Sequence, residues 1–222
     1  MSFELEQLRE AAKKYPYHDA GTHGVWPKLV WERRNESPLA RIDDAVEFLG
    51  IWKALRFKAG KTAFRRICTR WLRKNLTILE RLQGRVLYSI ASEDFQHILE
   101  ISSSFRDCGA PPTTFGKALH FLLPETVMLW DQAIVRNTYK LRPDPDSFVS
   151  YQRFGWKLLH HVTRNKTVNV LQQLERDHER TVGYLEPITM ILDHLAFSPN
   201  LSARAIAALG GPSKAFSDDL SL

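Results

Sequence analysis

Apolar residues recur at intervals of three and four through most of the chain, and no strand-length run alternates with period two. That spacing makes one stripe of an α-helix and does not make the half-buried face of a strand. The stripe is clearest from Lys61 to about Leu82, where Phe64, Ile67, Trp71 and Leu72 share a face. It is present from Phe3 to Lys14 and again, after Ser37-Pro38, at Leu39, Ile42, Val46 and Leu49. Serine then proline suits a helix entry, because the hydroxyl satisfies a free N–H and proline needs no donor in the first turn. Gly84 breaks the long basic helix, and Ser92-Glu93-Asp94 opens another with Phe95, Ile98 and Leu99 inward. Further helices are expected from Thr114 to near Pro124, from Trp130 or Asp131 to about Leu141, and from Asp146 to Val162. Two or three more are expected near 167–182, 184–196 and 200–209. Glycines and prolines mark Tyr15 to Ser37 and Arg106 to Thr113 as loops. The small, polar tail from Gly210 is expected to be frayed and flexible. Helices with short connections and no internal repeat imply a single all-α domain over residues 1–222.

Charge narrows the partner. The net charge is +6, and between Phe48 and Leu79 there is no acidic residue at all. The same stretch carries Lys53, Arg56, Lys58, Lys61, Arg65, Arg66, Arg70, Arg73 and Lys74. A solvated helix face ordinarily mixes signs. The stretch reads either as a solvated helix face that happens to be basic or as the footprint of a polyanion, with Arg65, Arg66 and Arg70 as its central contacts. Such contacts give salt-sensitive affinity to DNA phosphates and no sequence readout. No apolar run approaches the roughly 20 residues a membrane span requires. The acidic amphipathic opening Met1-Ser2-Phe3-Glu4-Leu5-Glu6 is unlike a signal peptide, and Cys68 and Cys108 make neither a disulfide framework nor a metal-ligand pair. A cytoplasmic monomer is the expectation.

One stretch carries the chemistry. Thr113-Thr114-Phe115-Gly116-Lys117-Ala118-Leu119-His120-Phe121-Leu122-Leu123-Pro124 is followed by Val127-Met128-Leu129-Trp130-Asp131-Gln132-Ala133-Ile134-Val135-Arg136. A short helix ends at proline, an apolar connector follows, and an aspartate opens the next helix. Free N–H groups and the helix dipole favour an acid there, so Asp131 reads either as an ordinary cap or as a functional carboxylate.

The stretch resembles the core of the helix-hairpin-helix (HhH-GPD) DNA glycosylase superfamily, in particular its bacterial 8-oxoguanine-glycosylase-like branch. In that family a hairpin bearing a lysine precedes an apolar connector and a catalytic aspartate at a helix start. Lys117 matches the lysine, Asp131 the aspartate, and Ile134, Val135 and Arg136 the apolar and basic positions after it. The resemblance implies a two-lobed helical fold with a hairpin-like core at about 92–141, and excision of a modified base from double-stranded DNA. Lys117 is then a nucleophile, a phosphate ligand or an electrostatic partner of Asp131. An oxidised purine is the default substrate, and related bacterial enzymes also remove bulky modified pyrimidines from phage DNA in antiviral defence. The family hairpin reads Leu-Pro-Gly-hydrophobic-Gly, whereas here Pro112-Thr113-Thr114-Phe115-Gly116 keeps one glycine. Thr113, Thr114, Gly116 and Arg136 are therefore the candidate backbone contacts to DNA. No cysteine cluster for an iron–sulfur centre is present, so no cofactor or metal is expected. A catalytically silent DNA-binding module is the alternative, favoured by the missing glycine.

A glycosylase also needs a pocket for the flipped base. His120, three residues after Lys117, is either a core residue or part of that pocket. Trp156 is either core or a stacking platform. The long segment Tyr17 to Trp26, which gathers His23, Gly24 and Trp26, is either a surface crossover or a pocket wall.

Overall fold

The computed structural model describes residues 3–14, 26–51, 60–104, 111–142, 144–164, 169–183 and 185–220, and among them every regular element is helical. The helices are α1 Leu5–Lys14, α2 Ile42–Ile51, α3 Gly60–Leu82, α4 Ser92–Ser103, α5 Pro112–Leu122 and α6 Gln132–Tyr139. They continue as α7 Pro145–Thr163, α8 Asn169–Val182, α9 Ile188–Ala196, α10 Pro199–Ala208 and the short α11 Pro212–Ala215. One π-helical turn spans Trp26–Trp31, inside the segment read as loop, and a 3₁₀ turn spans Leu87–Ser89. No helix among the described residues is long and apolar enough to cross a membrane.

The caps explain several boundaries. Gly84 adopts φ +71°, which ends the run of α3 at little steric cost. Asp144 accepts the Ser147 N–H at 2.7 Å and starts α7, with Pro145 in the first turn. Glu175 reaches across from α8 to accept the first N–H of α9, from Ile188, at 2.8 Å. The C-terminus of α5 is capped by a cation: Arg41, wholly enclosed, donates to the Phe121 and Leu122 carbonyls at 2.9 and 3.3 Å and to Val30 O at 3.2 Å.

Two groups of helices share the core. In one, α2 packs on α3 and α5, and α3 packs on α4. In the other, α1 packs on α8 and α9, while α6 lies against α9 and α10. The long α7 touches α4, α5 and α11, joining the two. Its aromatics do much of that joining: Trp156 stacks on Phe95 of α4 at 5.1 Å, and Phe154 meets Tyr139 of α6 at 5.1 Å.

The expectation of a frayed tail does not hold. Gly210 and Gly211, both at positive φ, turn the chain so that Ala215 is fully buried and Phe216 packs on Phe154 at 5.3 Å. Lys157 donates to the Lys214 and Ser217 carbonyls at 2.8 and 3.0 Å, tying the tail to α7. One aromatic side chain and one buried cation outweigh a polar composition.

Candidate active site

Lys117 and Asp131 come together at the seam between the two helix groups. The Lys117 ammonium donates to Asp131 Oδ2 at 2.9 Å, with the lysine side chain 11% and the aspartate 28% exposed. Lys117 sits in the middle of α5, and Asp131 immediately precedes α6, where Val135 N–H bonds to its carbonyl at 2.9 Å. The carboxylate therefore lies at the positive end of a helix dipole as well as beside an ammonium. Asp131 is the less enclosed of the two, and an incoming ligand would reach it first.

The wall behind the pair is aromatic and tightly packed. A Cβ on Gly116 would lie 2.8 Å from Trp130 Cβ and 3.1 Å from a Phe148 ring carbon. Only hydrogen fits there, so α5 and the connector that delivers Asp131 approach closely. Trp130 packs edge-on against Phe148 and Tyr151, both at 5.6 Å. Tyr151 donates to Asp193 Oδ1 at 3.4 Å, and its phenol is pushed well above its ordinary value by burial, with Asp193 and Asp131 adding to the effect. Tyr151 is thus a neutral donor buried within the electrostatic reach of Asp131.

The basic helix adjoins this site. Trp71, on the buried face of α3, meets Phe115 of α5 edge-on at 4.8 Å. The opposite face exposes Arg65, Arg66, Arg70, Arg73 and Lys74. Arg65 is engaged by Asp43 of α2, which accepts from it at 2.9 Å through Oδ2. Arg136 is exposed in the last turn of α6, the helix that Asp131 opens.

Other expected site residues lie elsewhere. Thr114 is completely enclosed and Gly116 is buried under Trp130, so neither is presented to a phosphate; both serve packing inside α5. Thr113, in the first turn of α5, is partly exposed. His120 is a core residue: it is fully enclosed, bonded to Val127 O through Nδ1, and pushed down to about 4 by burial. Trp156 is also core, donating to Ile90 O at 3.1 Å beneath its stack on Phe95. Neither can stack on a flipped base in this arrangement. His23 and Cys108 lie outside the described residues, and of Trp26 only the backbone is described.

Two features had no counterpart in the sequence reading. A cleft of about 660 Å³ opens at the end of α7, lined by Lys157, His160, His161, Arg164, Lys214 and Asp219 among others. It contains neither Lys117 nor Asp131, and the Lys157 ammonium is already committed to tail carbonyls there. Separately, His178, Glu186 and His194 converge in the core between α8 and α9. Their even spacing of eight residues was the signal available in the sequence.

Comparison with protein-family models, with curated proteins and with solved structures finds no significant match to the chain.

Proposed function

We propose that the chain is a helix-hairpin-helix type DNA glycosylase, which takes a modified base out of the duplex and cleaves its N-glycosidic bond to leave an abasic site. The observation that carries the reading is the Lys117–Asp131 contact of 2.9 Å, made between residues 14 apart at the start of one helix and the middle of another. Ordinary helix capping by Asp131 requires no lysine partner. A solvated surface ion pair would not leave its lysine only 11% exposed. The cationic outer face of α3, next to α5, supplies a means of holding DNA. The division into two helix groups with the pair at their seam is consistent with a two-lobed glycosylase.

The chemistry follows from the pair. A base must leave the stack before its glycosidic bond can be reached. As the C1′–N bond breaks, positive charge develops on the sugar, and the Asp131 carboxylate offsets it. Water then adds at C1′, its proton passing to Asp131, while the base departs and takes up a proton. In the second course, Lys117 passes a proton to Asp131 and its amine attacks C1′. That attack displaces the base, which leaves with a proton. Opening of the C1′–O4′ bond then gives the Schiff base, from which β-elimination expels the 3′-phosphate and cleaves the strand.

Asp131→Asn tests the reading. Base release is measured on duplexes carrying 8-oxoguanine, uracil, alkylated purines or glucosylated cytosine, with alkali added to reveal abasic sites. Release that depends on Asp131 supports a glycosylase and names its base, and cleavage without alkali assigns Lys117 as nucleophile. One observation favours a binding-only module: Thr114 and Gly116, at the family's hairpin positions, are enclosed. Salt-sensitive DNA binding with no base release from any substrate would support that module instead.

A further inference from the structure

Away from the Lys117–Asp131 pair, one cluster of ligand-type side chains is enclosed on all sides. His178 of α8, Glu186 in the connection that follows and His194 of α9 are 5%, 1% and 0% exposed. His178 Nε2 lies 2.7 Å from Glu186 Oε2, and His194 Nε2 lies 3.4 Å from the same oxygen. The two imidazoles stand 5.7 Å apart at 68°, and one donor atom from each of the three residues falls within 4.8 Å of the other two.

We propose that His178, Glu186 and His194 form a binding site for a divalent transition metal, best matched by zinc, that staples α8 to α9. The ligand types select the ion. Two imidazoles and a carboxylate suit zinc, whereas calcium and magnesium prefer oxygen throughout. The geometry agrees. Bonds of about 2.0–2.2 Å in a tetrahedral arrangement hold ligand atoms roughly 3.3–3.5 Å apart. The His194–Glu186 contact is already at that separation, and the His178–Glu186 contact needs to open by a fraction of an ångström. The two histidine donors, within 4.8 Å of each other, complete the triangle on closing to the same separation. Three protein ligands leave a fourth position for water.

The site bears on the rest of the molecule through α9. Asp193, the neighbour of His194, accepts the Tyr151 hydroxyl that lies in the field of Asp131, and α9 packs on both α1 and α6. An ion there would fix the helix behind the Lys117–Asp131 pair without taking part in its chemistry. This inference does not rest on the glycosylase reading.

The test uses the full chain, produced with zinc in the medium and dialysed against a weak chelator. Elemental analysis should give about one zinc per chain. Adding zinc to stripped protein at one hundred times its Kd should raise Tm by about 5–10 °C. His194→Gln and Glu186→Gln should lose both the stoichiometric metal and the shift while keeping the wild-type far-ultraviolet spectrum. If those variants do not fold, anomalous scattering at the zinc edge from wild-type crystals decides. A peak between the three side chains supports the site. A chain without stoichiometric zinc, a peak elsewhere, or metal retained by both folded variants overturns it. None of these readouts involves DNA, so either proposal can fail while the other stands.

Discussion

Replacing Gly116 by alanine separates local helix preference from the packing that builds the candidate site. In the middle of a helix, alanine is favoured over glycine by about 1 kcal/mol, so propensity alone predicts a more stable protein. The structure predicts the reverse. The new Cβ would sit 2.8 Å from Trp130 Cβ, about 0.6 Å inside ordinary contact, and 3.1 Å from a Phe148 ring carbon. Trp130 cannot absorb this by a rotamer change, because its Cβ is fixed to the backbone and the residue is 1% exposed. Forcing a methyl into such a site costs about 1–3 kcal/mol. The net expectation is a loss of roughly 1 kcal/mol after the helix gain is subtracted. Function should suffer more than stability. The displaced elements carry the residues next to Gly116 and Trp130, namely Lys117 and Asp131. A shift approaching 1 Å at reacting groups can cost up to about 100-fold, so base release under single-turnover conditions should fall at least several-fold. Urea denaturation measures the first effect. Gly50→Ala is the control, since its Cβ would meet only the end of the Lys61 side chain, at 3.4 Å. A Gly116→Ala protein more stable than wild type by about the propensity difference would refute the packing argument.

Three other expectations follow from particular contacts. Arg41→Met should cost about 3 kcal/mol or more by thermal or urea unfolding, because a buried guanidinium bonded to the Phe121, Leu122 and Val30 carbonyls leaves them without a donor. In metal-free protein, burial pushes His120 and His194 down to about 4, so the folded state refuses protons that the unfolded chain accepts below about pH 6.5. Their contribution is intact above that pH and is lost as pH falls toward 4. Burial pushes Glu175 the other way, up to about 7, so its contribution is present below about pH 4.5 and is lost as pH rises through 7. Glu175→Gln should therefore steepen the acid-side loss of stability between pH 7 and 4.5, by up to about 3 kcal/mol, and an unchanged slope would contradict the assignment. On the basic helix, Arg66→Glu with Arg70→Glu should weaken binding to random duplex and lower the salt slope by about 2, as expected for two lost phosphate contacts. Arg65→Ala should matter less, since Asp43 already engages that guanidinium.

The helices were legible because their signals are local. The stripe of Phe64, Ile67, Trp71 and Leu72, the break at Gly84 and the prolines around residue 143 mark boundaries within a few residues of those observed. Lys117 and Asp131 were singled out by the family resemblance, and they meet because the helix, proline, apolar connector and aspartate follow one another closely. What the sequence withheld was side-chain direction. His120 and Trp156 carry polar atoms that suggest function, yet their hydrogen bonds go to the carbonyls of Val127 and Ile90, partners that no periodicity identifies. Gly116 looked like a place for a phosphate and proved to be a place for Trp130. The polar tail folds because Phe216 finds Phe154 and Tyr139, more than 60 residues away in sequence. The His178, Glu186 and His194 cluster depends on how two helices cross, and its spacing alone does not determine that.

The packing of α1 on α8 and α9 sets the order in which the protein can be completed. Phe3, Leu5, Leu8, Ala11 and Ala12 are all at most 7% exposed in the folded chain. During synthesis they are made long before α8 and α9, the helices that cover them. Until α8 and α9 exist this apolar face lacks the partners it has in the folded chain, and closing the long loop between α1 and those helices is a long-range step. N-terminal fragments should therefore be prone to aggregation, and removal of α1 should uncover the surface of α9 that backs the candidate site.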